Sequence, residues 1–242
     1  MSWVLANLPT IAGHLLAHLL QAVPAIIASF VLAIPIARLA RVARPLRAVL
    51  VTGSSLLYAV PSLALFVILP IILATGIRDP LNVIVALTLY GLALLVPATA
   101  DALDAVDARV LDAATAMGMG RLRCFLTVEL PLAGPAILTG LRVVTVSTIS
   151  LTTVGAVLGV RSLGWLFTDG FQRGITAEIV TGLVATAALA LVLDGLVLAL
   201  GRLCLPWTWK RAGATGQVLE ADGASTAGGR EDNGREKPET ES

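Results

Sequence analysis

Charge is scarce in this 242-residue chain: only 14% of residues are Asp, Glu, Lys or Arg, against 57% hydrophobic. That balance, with a mean hydropathy of +0.88, excludes an ordinary soluble domain. Lysine is almost missing. Lys210 and Lys237 are the only two, and neither follows a glycine-rich turn of the G-x-x-x-x-G-K-[ST] kind, so no phosphate loop is present to hold ATP. No Ser/His/Asp or Cys/His arrangement is available for hydrolytic chemistry, so no intrinsic enzyme activity is expected. The two cysteines, Cys124 and Cys204, fall near the side assigned below as reducing, where a structural disulfide is not expected.

What the chain has is long apolar runs. A hydrocarbon core about 30 Å thick needs ~20 apolar residues in a helix. Five segments meet that need: 11–37, 49–74, 81–100, 135–159 and 179–200. None alternates apolar and polar residues as a barrel strand does, so helices must satisfy the backbone, and the expected fold is an all-α membrane bundle of five spans. The opening MSWVLANLPTIAGH has no basic leader region and runs into a span longer than a signal-peptide core, so it is expected to stay as a helix.

Arginine placement orients the bundle, since Lys and Arg near span ends are retained on the cytoplasmic side. Arg38, Arg41, Arg44 and Arg47 separate spans one and two; Arg109, Arg121 and Arg123 separate three and four; Arg202, Lys210 and Arg211 follow span five. The opposite side holds only Arg78, Arg161 and Arg173. Ten against three predicts an outside N-terminus, a cytoplasmic C-terminus and a cytoplasmic insertion between spans three and four. Residues 1–211 thus form the membrane domain. Residues 212–242, small and polar with seven acids and three bases, are expected to be a disordered cytoplasmic tail.

The insertion, residues 111–131, reads LDAATAMGMGRLRCFLTVELP. Its spacing is Asp112-Ala113-Ala114, three residues, Gly118, nine residues, then Val128-Glu129-Leu130-Pro131. Small residues at Ala113, Ala114 and Ala116 suit close seating in a groove, Met117, Leu122, Phe125 and Leu126 offer apolar contact, and Arg121 and Arg123 rim it. The plain alternative is an amphipathic helix lying on the bilayer.

This spacing resembles the E-A-A-x3-G-x9-I-x-L-P signature of permease subunits of ATP-binding-cassette importers of the binding-protein-dependent type I kind, with Asp for Glu and Val for Ile. The resemblance implies a short coupling helix inserted into a groove on a separate ATP-hydrolysing subunit. Asp112, Ala113, Ala114, Gly118, Val128, Leu130 and Pro131 are then the coupling residues, with Gly118 permitting a bend between two short helices. It further implies two ATP-binding subunits, a second permease copy, identical or paralogous, and an extracytoplasmic binding protein. ATP is bound by the partner subunit and no cofactor by this chain, and beyond the lipid bilayer no nucleic acid is expected as a partner.

A narrower likeness follows. Leu56-Leu57-Tyr58-Ala59-Val60-Pro61-Ser62-Leu63-Ala64-Leu65 is similar to the L-x-x-I-P-S-L-A-L run of permeases for osmoprotectants such as glycine betaine, choline, carnitine and proline betaine. Thr148–Gly159, followed by Arg161-Ser162-Leu163-Gly164, resembles the T-x-G-A-x-x-G-x-G-G-L-G run of that group, with Arg161-Ser162 where Gly-Gly is usual. A quaternary ammonium needs an aromatic cage, and at 5% aromatic this chain is poorly supplied, so selection falls to the binding protein. A methionine-like amino-acid importer shares the first signature without the second. An ion-coupled secondary transporter would need internal repeats and midplane acids, and neither is found.

Several side chains are candidates for more. Pro24, Pro35, Pro61, Pro70 and Pro97 each interrupt a span; Pro61-Ser62, one turn after Tyr58, is read either as a bend facing the translocation pathway or as a plain kink. Thr145, Thr148 and Thr152, with Gly155 and Gly159, line one face of span four, which either packs closely or borders the pathway. Arg142 and Asp194 lie at matching depth in spans four and five and are expected to pair; a proton relay would require further titratable groups, which do not follow. His14 and His18 have the spacing of a two-histidine metal site, but no third ligand is evident, and no metal is expected. Asp101, Asp104 and Asp107 are read as a solvated helical face.

Overall fold

The computed structural model describes residues 2–42 and 44–204; the expected tail lies outside them. The chain divides into two units, Met1–Gly201 and Arg202–Ser242, the second described only through Cys204. Among the described residues all regular structure is helical. A single turn, α1 (Ser2–Ala6), leads into the long α2 (Leu8–Val42); α3 (Arg44–Ala59) and α4 (Ser62–Leu73) follow, then α5 (Pro80–Asp104). The insertion folds as α6 (Ala108–Ala116) and α7 (Arg121–Cys124), and a π-turn, Phe125–Glu129, joins α7 to α8 (Leu130–Thr152). A 3-10 stretch, Thr153–Leu158, precedes α9 (Trp165–Arg173) and α10 (Thr176–Cys204).

Four helices are long and apolar enough to cross a bilayer, and the pair α3 and α4 makes a fifth, broken crossing. Counting that pair as one bent span gives five among the described residues, but its halves meet at 107°, so the expected second span is not one rod. Helices run straight through Pro24, Pro35, Pro70 and Pro97, and of the five expected interruptions only Pro61 is a break. The difference lies in what meets the freed carbonyls. The Val60 amide turns back to the Leu57 carbonyl at 3.2 Å, and the Tyr90 hydroxyl of α5 donates to the Val60 carbonyl at 2.6 Å, while Tyr58 lies edge-on to Tyr90 with ring centroids 6.0 Å apart. Without that hydroxyl, Val60 would present a bare acceptor to an apolar surrounding. Tyr90→Phe is expected to lower the stability of the detergent-solubilised protein by on the order of 1 kcal/mol. An unchanged thermal unfolding midpoint would mean that Pro61 alone holds the bend.

Helix α5 is the axis of the bundle. It packs on α2, α8 and α3, with Leu87, Leu95, Val96 and Leu103 wholly buried. It starts sharply because the Asp79 carboxylate accepts from the Leu81 amide at 2.9 Å and Pro80, at the first helical position, needs no donor partner. By contrast α10 leaves almost all of its apolar surface uncovered.

The Arg161-Ser162 departure is accommodated within the loop. Ser162 is fully buried and its hydroxyl accepts from the Gly164 amide at 3.2 Å, while Gln21 of α2 donates to the Arg161 carbonyl at 2.7 Å. Gly164 is fixed by close approach, since a Cβ there would stand 2.1 Å from the Thr153 carbonyl oxygen.

Candidate functional site: the coupling segment

The insertion is a helix, a glycine hinge and a second helix. Asp107 caps α6 by accepting from the Arg109 amide at 2.9 Å. The helix ends where the Gly118 amide donates to the Thr115 carbonyl at 2.9 Å and the backbone turns left-handed, with φ +81° at Gly118. Only glycine adopts that conformation at little cost, and a Cβ there would meet nothing within 4 Å, so the requirement is conformational rather than steric.

One face of the segment is exposed. Met117 is 72% exposed, Leu122 62% and Leu126 52%, a concentration of apolar area on a polar end of the molecule that marks an interaction surface. Asp112, Ala113 and Ala116 are exposed beside them. Ala114 is buried in α6, which packs on α7 and the π-turn; Val128 in that turn and Leu130 and Pro131 at the start of α8 are half-buried.

Phe125 corrects the expectation. It belongs to the core with Ala37, Leu103, Ala133 and Ile137, and it does not face outward. Phe125 continues the helical register of α7, its amide bonding back to the Arg121 carbonyl, so it shares the inward face with buried Cys124. The π-turn begins there, the Leu130 amide reaching back five residues to the Phe125 carbonyl. Arg38 of α2 then lies over the ring, 4.0 Å from its centroid.

Charges fasten the segment to the helix ends. Arg41, near the end of α2, pairs with Glu129 of the π-turn and lies 3.4 Å from Asp104 at the end of α5. Arg47 of α3 pairs with the other oxygen of Asp104. The three aspartates are exposed, as a solvated face requires, and beyond that Asp104 bridges two helices and Asp107 caps one. Sequence reasoning counted these arginines only as topological signals. The available clue was that three acids, Asp101, Asp104 and Glu129, flank the same end as the arginines.

The remaining candidates sort as follows. Arg142 and Asp194 meet in a two-pronged pair, Nε to Oδ1 at 2.8 Å and Nη2 to Oδ2 at 2.7 Å, joining α8 to α10. Tyr58 and Pro61 are exposed and Ser62 is half-buried at the break. Thr145, Thr148 and Thr152 are buried inside this chain, and Thr145 and Thr152 donate to the carbonyls one turn back. In the same row a Cβ on Gly155 would stand 3.2 Å from the Val83 side chain of α5. His14 and His18 lie in the second and third turns of α2. His14 stacks on Trp165 at 4.7 Å and His18 is fully buried; among the described residues no group of three potential metal ligands occurs.

Comparison with known proteins places these features. The family model described as binding-protein-dependent transport system inner membrane component matches residues 29–209. The chain is 30% identical over 198 residues to the choline transport system permease protein OpuBD of Bacillus subtilis, covering 81% of this chain and 86% of that one. It is 34% identical over 148 residues to the osmoprotectant import permease protein OsmY of Salmonella typhimurium, 61% of each. It is 33% identical over 151 residues to the ergothioneine transport permease/ergothioneine binding protein EgtU of Helicobacter pylori, but spans only 27% of that longer chain. Among solved structures, an inward-facing MetNI methionine ABC transporter chain superposes with a TM-score of 0.71 over 80% of this chain and 95% of that one, at 20% identity, which speaks to the fold alone.

Proposed function

The chain belongs to the family of inner membrane components of binding-protein-dependent transport systems, and from that premise we propose that it is the permease subunit of an ATP-binding-cassette importer for osmoprotectants such as glycine betaine, choline, carnitine or proline betaine. It is a multi-pass membrane subunit. One observation carries the reading most directly: the D-A-A-x3-G-x9-V-x-L-P spacing falls on an exposed helix–glycine–helix element pinned to the bundle's arginine-rich end.

In this reading Met117, Leu122 and Leu126 enter a groove on an ATP-hydrolysing partner, and ATP is bound and cleaved there, not here. Two such partners, a second permease copy and an extracytoplasmic binding protein complete the machine. The bare face of α10 and the exposed rings and apolar residues around the α3–α4 break are surfaces left for lipid and for that second copy. The N-terminus lies outside and the C-terminus in the cytoplasm, following the arginine bias.

The osmoprotectant cargo is favoured over the methionine-like alternative because the permeases for choline and carnitine are similar in sequence, whereas the methionine transporter is similar in fold. Uptake of labelled glycine betaine, choline, carnitine and proline betaine, with ergothioneine and methionine alongside, in cells lacking the chain is the test. Loss of one of the first four, restored by the gene, is expected. Intact uptake of all four with loss of methionine or ergothioneine would overturn the cargo.

A further inference from the structure

The charged groups at the arginine-rich end form a continuous series rather than scattered pairs. Glu129 of the coupling segment binds Arg41 of α2; Arg41 reaches Asp104 of α5; Asp104 binds Arg47 of α3. The members are partly covered, with 14% side-chain exposure at Glu129 and 28% at Arg41, against 33% and 40% at Asp104 and Arg47. Arg41 is the centre. Its planar guanidinium offers donors in two directions and engages two carboxylates on two elements, a task that lysine's single ammonium performs poorly.

The series ends at α3, whose packing partners are α2 and α5. From Arg47 this helix runs to Ala59, immediately before the 107° break at Val60 and Pro61. A stiff rod of that length, ~18 Å at 1.5 Å per residue, carries a displacement at its charged end to the break. The second fastening, Arg38 over Phe125 with its Nη2 3.5 Å from the Arg121 carbonyl, ties the other half of the coupling segment to α2 alone. Phe125 also packs beside Leu103 of α5 and Val51 of α3, but among the described ion pairs the Glu129 route is the one that links the segment to both helices.

We propose that Arg41 is the positioning residue through which movement of the coupling segment reaches α3 and the broken span, by holding Glu129 and Asp104 together. The proposal rests on the docking role assigned to the segment above. It concerns how force leaves that segment, not which partner supplies it.

The test uses the complete transporter, with its ATPases and binding protein, in proteoliposomes, and reads uptake of labelled glycine betaine per ATP hydrolysed. Arg41→Gln and Glu129→Gln are each expected to lower that ratio about tenfold, the double variant no further, because both remove one interaction. Arg41→Lys, keeping charge without the fork, should fall between. The single variants should lose some purified yield and thermal midpoint, so the ratio is read on assembled complex of matched ATPase content, where a merely structural role would leave it at wild type. A wild-type ratio in both single variants, or a fall matched by loss of assembled complex, overturns the proposal. A cross-link from Met117→Cys to the ATPase separates the two levels: with the cross-link present and the ratio unchanged, only the Arg41 role fails, and with the cross-link absent from otherwise wild-type protein the docking role fails with it.

Discussion

Gly118→Pro is expected to leave the protein in the membrane at its normal level while ATP-driven uptake falls at least about tenfold, because proline holds φ near −65° and Gly118 requires the opposite sign. Two losses coincide. The left-handed turn at φ +81° cannot form, and the amide that donates to the Thr115 carbonyl is gone, so α6 loses its terminating bond and its angle to α7. Nothing packs against Gly118, so the bundle itself has no reason to come apart. Gly118→Ala is the milder control, costing about 1–2 kcal/mol for a side chain in the left-handed region. Immunoblotting of membranes together with uptake and ATP hydrolysis measures the split between insertion and coupling. Wild-type uptake in the proline variant would refute the hinge.

The Arg142–Asp194 pair sets the second large effect. Arg142→Gln alone, or Asp194→Asn alone, leaves an uncompensated charge between α8 and α10, whereas the double variant leaves none. Either single variant should therefore accumulate in membranes several-fold below wild type, and the double variant should recover part of the difference. The pair matters more than its size suggests because α10 buries few residues of its own, Glu178, Gly182, Leu189 and Gly201. The reciprocal swap, Arg142→Asp with Asp194→Arg, restores attraction in reverse. If the swap and the single variants accumulate equally poorly, the pairing is not what holds the two helices.

How far the sequence alone reached follows from which forces are local. Apolar runs near twenty residues long are a lipid requirement written directly in composition, so the apolar spans and their approximate ends were legible; three helices extend a few residues beyond both expected ends, while the second and fourth spans stop short at their C-terminal ends. Spacing made the coupling segment legible as well, and the positive φ at Gly118 is a property of a single residue. Phe125 was misplaced because the face of a short helix that meets the bundle is decided by Ala37, Leu103 and Ile137, which come from three other helices. The 107° break was visible only as a proline; its stabilisation depends on Tyr90, thirty residues away on another helix. The ion pairs of the exposed Asp104 were not legible because its partners, Arg41 and Arg47, come from two other elements whose ends meet only in the folded bundle. Burial of Thr145, Thr148 and Thr152 likewise depends on which neighbour a small-residue face meets.

Cross-linking from the exposed tip of the coupling segment tests the account most directly. With Cys204→Ser removing the exposed native thiol and Met117→Cys supplying a new one, a short thiol-reactive cross-linker applied to the assembled transporter should join this chain to its ATP-hydrolysing subunit in high yield. Capture of the binding protein, or of lipid alone with the ATPase left uncoupled from position 117, would contradict it.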